Sequence, residues 1–151
     1  MSSVICGSLA FDTIMNFEGG FSEQILPDQL HNLNVSFLVP ALRREYGGCA
    51  GNIAYSLKQL GGTPLPMATV GSDGAGYLAR LKAQGISTEF VRVVDDLYTA
   101  QAMIMTDRDN NQITAFHPGA MMQAHLNRIA ARSDIKLGMI SPDGRDAMVE
   151  H

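Results

Sequence analysis

A chain of 151 residues with 46% hydrophobic and 17% charged side chains can form one domain burying about 70% of its unfolded surface, yet its charge content lies below the roughly 25% usual for soluble proteins. The net charge of −4, with Arg43-Arg44 as the one pair of adjacent basic residues and Glu45 behind it, excludes a nucleic-acid partner, which needs clustered Lys and Arg. No run of about 18 apolar residues and no basic segment ahead of an apolar stretch occurs, so neither a membrane span nor a signal peptide is expected, and the protein is expected in the cytoplasm.

Val4-Ile5-Cys6 reads as a central parallel strand opening at Gly7-Ser8 into a site, with Asp12 just past it. From Thr13 to Tyr46 the pattern is irregular, punctuated by Gly19-Gly20, Pro27 and Pro40, with an alternating stretch at 33–37 that suggests a small strand. Asn52 to Leu60 reads as a helix with Ile53, Leu57 and Leu60 on one face and Gly61-Gly62 closing it. Leu65–Val70 is the next strand. Asp73 reads as the N-cap of a second helix, with Leu78 and Leu81 on its apolar face, that ends at Gly85. Phe90–Val94 returns as a strand, giving β-α-β-α-β, one side of a doubly wound sheet. Thr99–Thr106 and Gln112–His117 flank a polar turn and read as a hairpin. A helix at about 123–131, a strand at 135–140 and the start of a helix after Pro142-Asp143-Gly144 follow. Cys6 and Cys49 show neither disulfide nor metal spacing, and the four histidines show no ligand spacing.

The most specific motif is Gly47-Gly48-Cys49-Ala50-Gly51-Asn52-Ile53-Ala54, followed by Gly61 and Gly71. A glycine pair lets backbone approach a ligand, and an Asn amide both donates to and accepts from hydroxyls. This run resembles the N-terminal signature of the PfkB family, the ribokinase-like kinases of sugars and nucleosides. The resemblance implies a doubly wound, mostly parallel α/β sheet flanked by helices, with a small β lid formed by segments 13–46 and 99–117. It implies that Gly47 and Gly48 form the lid hinge, that Asp12 grips two sugar hydroxyls, and that Asn52 binds ribose. It also implies an ATP-dependent transfer to a substrate hydroxyl with Mg²⁺, and a homodimer joined through the lid.

Two departures bear on the substrate. Ribokinases carry Asn two residues before that Asp and Lys after the glycine pair, whereas Ala10 and Cys49 stand here. An apolar wall from Phe11, Phe37, Phe116 and Met121-Met122 would suit a base, and the run from Gln112 to Ala120 resembles that of bacterial family members that are adenosine or carbohydrate kinases, which favours nucleosides. Asp143, at the end of a parallel strand, is a further candidate for the substrate site. The family's C-terminal Asp-Thr-x-Gly-Ala-Gly-Asp motif is absent from the chain, as is any Gly-x-x-x-x-Gly-Lys-Ser/Thr loop. Residues 1–151 therefore read as the substrate-binding half of a nucleoside or sugar kinase, lacking the nucleotide half and inactive alone. The alternatives are a ribose or other sugar kinase, and a non-catalytic ligand-binding or dimerisation module.

Overall fold

The computed structural model describes residues 2–128 and 132–151, which build two four-stranded sheets. The apolar run of the first strand, β1 (Ser2–Cys6), is paired on both sides. The chain then leaves for β2 (Ala10–Asn16), a short helix α1 (Phe21–Gln24), a 3₁₀ turn at Pro27–Asn32 and β3 (Ala41–Gly47). It returns through α2 (Cys49–Gln59), β4 (Thr63–Gly71), α3 (Ala75–Ala83) and β5 (Val91–Val94). Next come the hairpin strands β6 (Ala100–Thr106) and β7 (Gln112–His117), and a 3₁₀ stretch at Gly119–Leu126. β8 (Ile135–Ile140) and α4 (Arg145–Glu150) complete the described chain.

The first sheet runs β5-β4-β1-β8, every pair parallel. Successive strands move outward from β1 through β4 to β5, and β8 then pairs with the other side of β1. That reversal creates a switch point at the carboxyl ends of β1 and β8, where open α/β sheets place ligands. The core gathers around β4: Ile5, Leu9, Ala68, Val70, Leu81 and Ile86 are each at most 2% exposed. The second sheet runs β3-β2-β6-β7, with β2 antiparallel to β3 and parallel to β6.

Several sequence expectations change. The alternating stretch at 33–37 forms no strand, although Val35 and Phe37 are half-buried between exposed neighbours. The alternation reflects extended backbone laid against Phe17 and Phe21, whose rings lie 5.0 and 5.2 Å from that of Phe37, rather than ladder pairing. Leu60 is the C-cap of α2, past its last turn, and is 85% exposed rather than on the apolar face. Asp73 does not cap α3, whose N-cap is Gly74. The expected helix at 123–131 lies partly outside the described residues; its described portion belongs to the 3₁₀ stretch that begins at Gly119 and to the two residues after it.

Candidate substrate site

The glycine pair sits where the two sheets meet. Gly48 adopts φ of 89°, and a Cβ there would fall 2.5 Å from the Ser8 carbonyl oxygen and 2.7 Å from the Ala10 nitrogen. Conformation and space both demand glycine. This close approach wraps the start of α2 around Ser8: the Cys49 amide donates to Ser8 Oγ at 3.1 Å and the Ala50 amide to the Ser8 carbonyl at 3.0 Å. Gly47 ends β3 directly beneath Asp12, since a Cβ on Gly47 would come within 2.3 Å of Asp12 Oδ2.

Asp12 lies within β2, and strand register fixes its neighbours. Asp12 pairs with Ala102 on β6, and Ala102 pairs with Phe116 on β7. Paired residues share a sheet face, so Asp12 and Phe116 stand two strands apart, about 10 Å, across a small alanine. Ala10, paired with Gly47 and Ala100, continues the same face at 5% exposure. Partial burial pushes the Asp12 carboxyl above its ordinary range. A carboxylate, a stretch of small residues and an exposed phenyl ring make a surface that takes hydroxyls at one end and a flat apolar group at the other. Phe11, expected in the apolar wall, points the other way and packs in the core against Tyr46 and Tyr77.

Asn52 follows Gly48 by one helical turn, its amide donating to the Gly48 carbonyl at 3.0 Å. Its side chain lines a cavity of about 250 Å³ with Tyr46, Tyr55, Tyr77 and Arg80, of which Asp12 is not a lining residue. Gly47 and Gly48 thus link Asp12 to Asn52 through the chain, while the two side chains border different spaces.

Asp143 stands at the carboxyl end of β8, 9% exposed. Its Oδ1 accepts from the Gly144 amide at 2.9 Å, and its Oδ2 is buried without a partner among the described residues. Burial raises this carboxyl to about 6, against the opposing pull of the Gly144 amide. Ser8 and Tyr77 were not singled out in the sequence. Ser8 was legible only as a small residue after the first strand, and Tyr77 only as a neighbour of the apolar Leu78.

The sequence profile of the pfkB family carbohydrate kinases matches residues 9–136. The chain belongs to the pfkB family. This pfkB chain is 37% identical over 123 residues to the nucleoside kinase of Methanocaldococcus jannaschii, covering 80% of the chain and 37% of that protein. It is 57% identical to the Burkholderia thailandensis nucleoside kinase solved in complex with inosine, with a TM-score of 0.82, covering 99% of the chain and 47% of that structure. The ribokinase of Cryptococcus neoformans, at 19% identity and a TM-score of 0.70, shares the fold. The α/β ribokinase-like architecture expected from the glycine motif is therefore the one found, and the chain spans about half the length of the solved nucleoside kinase.

ATP with Mg²⁺ is expected from the family, and the starts of α2 and α4 fit its phosphates poorly. A nucleotide phosphate favours free amides at a helix N-terminus. At α2 the Cys49 and Ala50 amides already bind Ser8, and at α4 the Gly144 amide binds a carboxylate, a group of the wrong charge to leave room for phosphate. No group of three or more His, Cys, Asp or Glu side chains among the described residues could hold a metal ion.

Proposed function

We propose that residues 1–151 form the nucleoside-binding part and lid of a kinase that moves the γ-phosphoryl group of ATP to a substrate hydroxyl, releasing ADP. The observation that carries this reading is the face bearing Asp12, Ala102 and Phe116 above the Gly47-Gly48 turn. On it the Asp12 carboxylate accepts hydrogen bonds from two ribose hydroxyls while Phe116 stacks on the base, and Ala10 and Cys49 leave the room that polar sugar contacts would fill. The inosine bound by the Burkholderia enzyme supports a nucleoside over a free sugar, and the ribokinases, alike only at low identity, do not favour the sugar reading. Asn52 lines the separate cavity on the far side of the glycine turn, and Asp143 adds a carboxyl at the switch point. The second sheet is the lid, turning at Gly47-Gly48. The nucleotide, its Mg²⁺ and the base that takes the hydroxyl proton belong to polypeptide beyond these residues.

Calorimetric titration of inosine into the protein tests the site. Asp12→Ala is expected to weaken binding by about 2 kcal/mol, the loss of a charged acceptor, and unchanged affinity would remove the proposed face. Incubated with ATP and inosine, residues 1–151 alone are expected to yield no nucleotide product. The β7 edge, with Ile113 exposed at 41%, is the surface for a homodimer through the lid; equilibrium sedimentation of Ile113→Lys should then show a shift toward monomer. Two free cysteines suit a cytoplasmic setting. A ligand-binding module without turnover is the second reading, favoured by the internally satisfied amides at α2 and α4. ATP-dependent transfer by a longer polypeptide containing residues 1–151 would eliminate it.

A further inference from the structure

We infer that Tyr77 is a positioning residue: its hydroxyl, anchored on α3, sets the orientation of the Gly47–Gly48 peptide and with it the seating of the second sheet on the parallel one. Tyr77 is 2% exposed, and its hydroxyl donates to the Gly47 carbonyl at 2.6 Å. Burial pushes the phenol far above its ordinary range, so the hydroxyl keeps its proton and stays a donor. The peptide is trans, so a carbonyl held toward α3 aims the Gly48 amide to the opposite side. The next two amides, of Cys49 and Ala50, close on Ser8. One phenol therefore governs the point at which the chain passes from one sheet to the other.

The surroundings of that phenol serve the same joint. The Tyr77 ring lies 5.7 Å from Phe11 on β2 and 5.1 Å from Tyr46 on β3, edge-on to the latter. Arg80, three residues on along α3, sits 4.8 Å over the Tyr46 ring. Arg44 on β3 lies 3.7 Å over Phe11 and reaches Asp73 at 3.0 Å, and Asp73 accepts the Thr99 amide at 2.8 Å just ahead of β6. Three strands of the second sheet are thus attached near their bases to α3 or to the turn before it. α2 is shaped to let the phenol through. A Cβ at Gly51 would fall 2.1 Å from the Tyr77 hydroxyl, which explains glycine inside a helix where it is otherwise disfavoured. An apolar side chain would fill the same space without orienting the peptide, so the hydroxyl is the informative atom.

This inference rests on the reading that Asp12, Gly47 and Gly48 belong to the nucleoside site, and amide hydrogen exchange on residues 1–151 separates the two. Tyr77→Phe keeps the ring and is expected to speed exchange of the Cys49, Ala50 and Asn52 amides roughly tenfold, the scale of one buried hydrogen bond, with the Ala68 amide changed by less than about twofold. Gly51→Ala displaces the phenol oxygen while leaving Tyr77 intact, and should give the same local pattern. In the double variant the missing hydroxyl makes room for the new methyl, so the second substitution should add less than about twofold, the coupling expected of two groups in direct contact. Equal acceleration at Ala68, unchanged exchange at 49–52, or fully additive effects would each overturn the inference; should Gly51→Ala fail to fold, the Tyr77→Phe pattern alone decides. Inosine added to the same samples should slow exchange at 49–52, an effect abolished by Asp12→Asn and weakened by Tyr77→Phe. Failure of inosine to act on the wild type would remove the nucleoside reading and leave the exchange result for Tyr77 intact.

Discussion

β4 and β8 flank the same strand, β1, in the same parallel sense, yet β4 is buried at eight of nine positions and β8 is exposed at five of six. Their sequences do not explain this, since Ile135-Lys136-Leu137-Gly138-Met139-Ile140 is as apolar as many core strands. Coverage does. β4 packs against α2 and the 119–126 stretch, whereas Leu137 and Met139 border an open apolar groove of about 250 Å³ with Ile5, Ile53, Leu57 and Leu60. Parallel sheets are ordinarily covered on both faces, so ladder pairing alone has not completed the β8 side.

The second sheet adds a third case, in which polar tethers replace a core. β3 and β7 are exposed almost throughout. Asp107, 5% exposed at the hairpin turn, accepts from the amides of Phe21, Asp109 and Asn111 at 2.8–2.9 Å and from Asn111 Nδ2 at 3.0 Å. Desolvation opposes its ionisation, but these donors win and hold the carboxyl at about 2.

The contrast is broken most severely from the covered side. Leu81→Ala, at 2% exposure in the buried cluster that includes Ala68 and Val70 of β4, is expected to cost about 3 kcal/mol in denaturant unfolding. If the cost were under about 1 kcal/mol, β4 would be no better supported than β8.

Asp143 offers a pH-dependent version near the end of β8. Its folded value, about 6, lies above that of an unfolded Asp, so its contribution is fully present below about pH 4 and lost as pH rises through about 6. Asp143→Asn should therefore raise stability by on the order of 2 kcal/mol at pH 7.5 and change it little at pH 4. A pH-independent effect in thermal melts would refute the assignment.

Asp107 has the opposite sign and a more local reach. Its stabilisation is present above the unfolded value near 4 and fades as pH falls through about 2. Asp107→Asn should loosen α1 and the hairpin, read as faster exchange at Phe21 and Asn111 with Ala68 unaffected. Coincident loss of Ala68 protection would mean that the two sheets unfold as one unit.

The smallest effect on stability is expected at the groove. Leu60→Lys and Leu137→Lys, at 85% and 52% exposure, should each change stability by less than about 0.5 kcal/mol. They should nonetheless reduce binding of a hydrophobic dye and self-association. Dye binding undiminished in the double variant would place the sticky surface elsewhere.

Much of this was readable from local chemistry. The run Gly47 to Gly71 marked the family because steric demands at Gly48 and the turn at Gly61, φ of 81°, leave few alternatives to glycine. Period and punctuation located the parallel strands and α3, because each is a short apolar run between turn residues. What misled was alternation without a partner at 33–37, and a helical face extended by one residue to Leu60. Tyr77 escaped notice because nothing local distinguishes a tyrosine that packs from one whose hydroxyl holds a distant carbonyl.

Residue types alone determined the glycine turn, the α/β order, the absence of a basic footprint and the presence of an acid at position 12, since each depends on backbone freedom, periodicity or charge within a few neighbouring residues. Only the tertiary structure decided that Asp12 and Phe116 share a face, that Phe11 does not, that one Asp143 oxygen is buried without a partner among the described residues, and that Tyr77 reaches back across 30 residues to Gly47. Register, burial and hydrogen bonds across that span arise from how separated segments pack, and no local pattern encodes them.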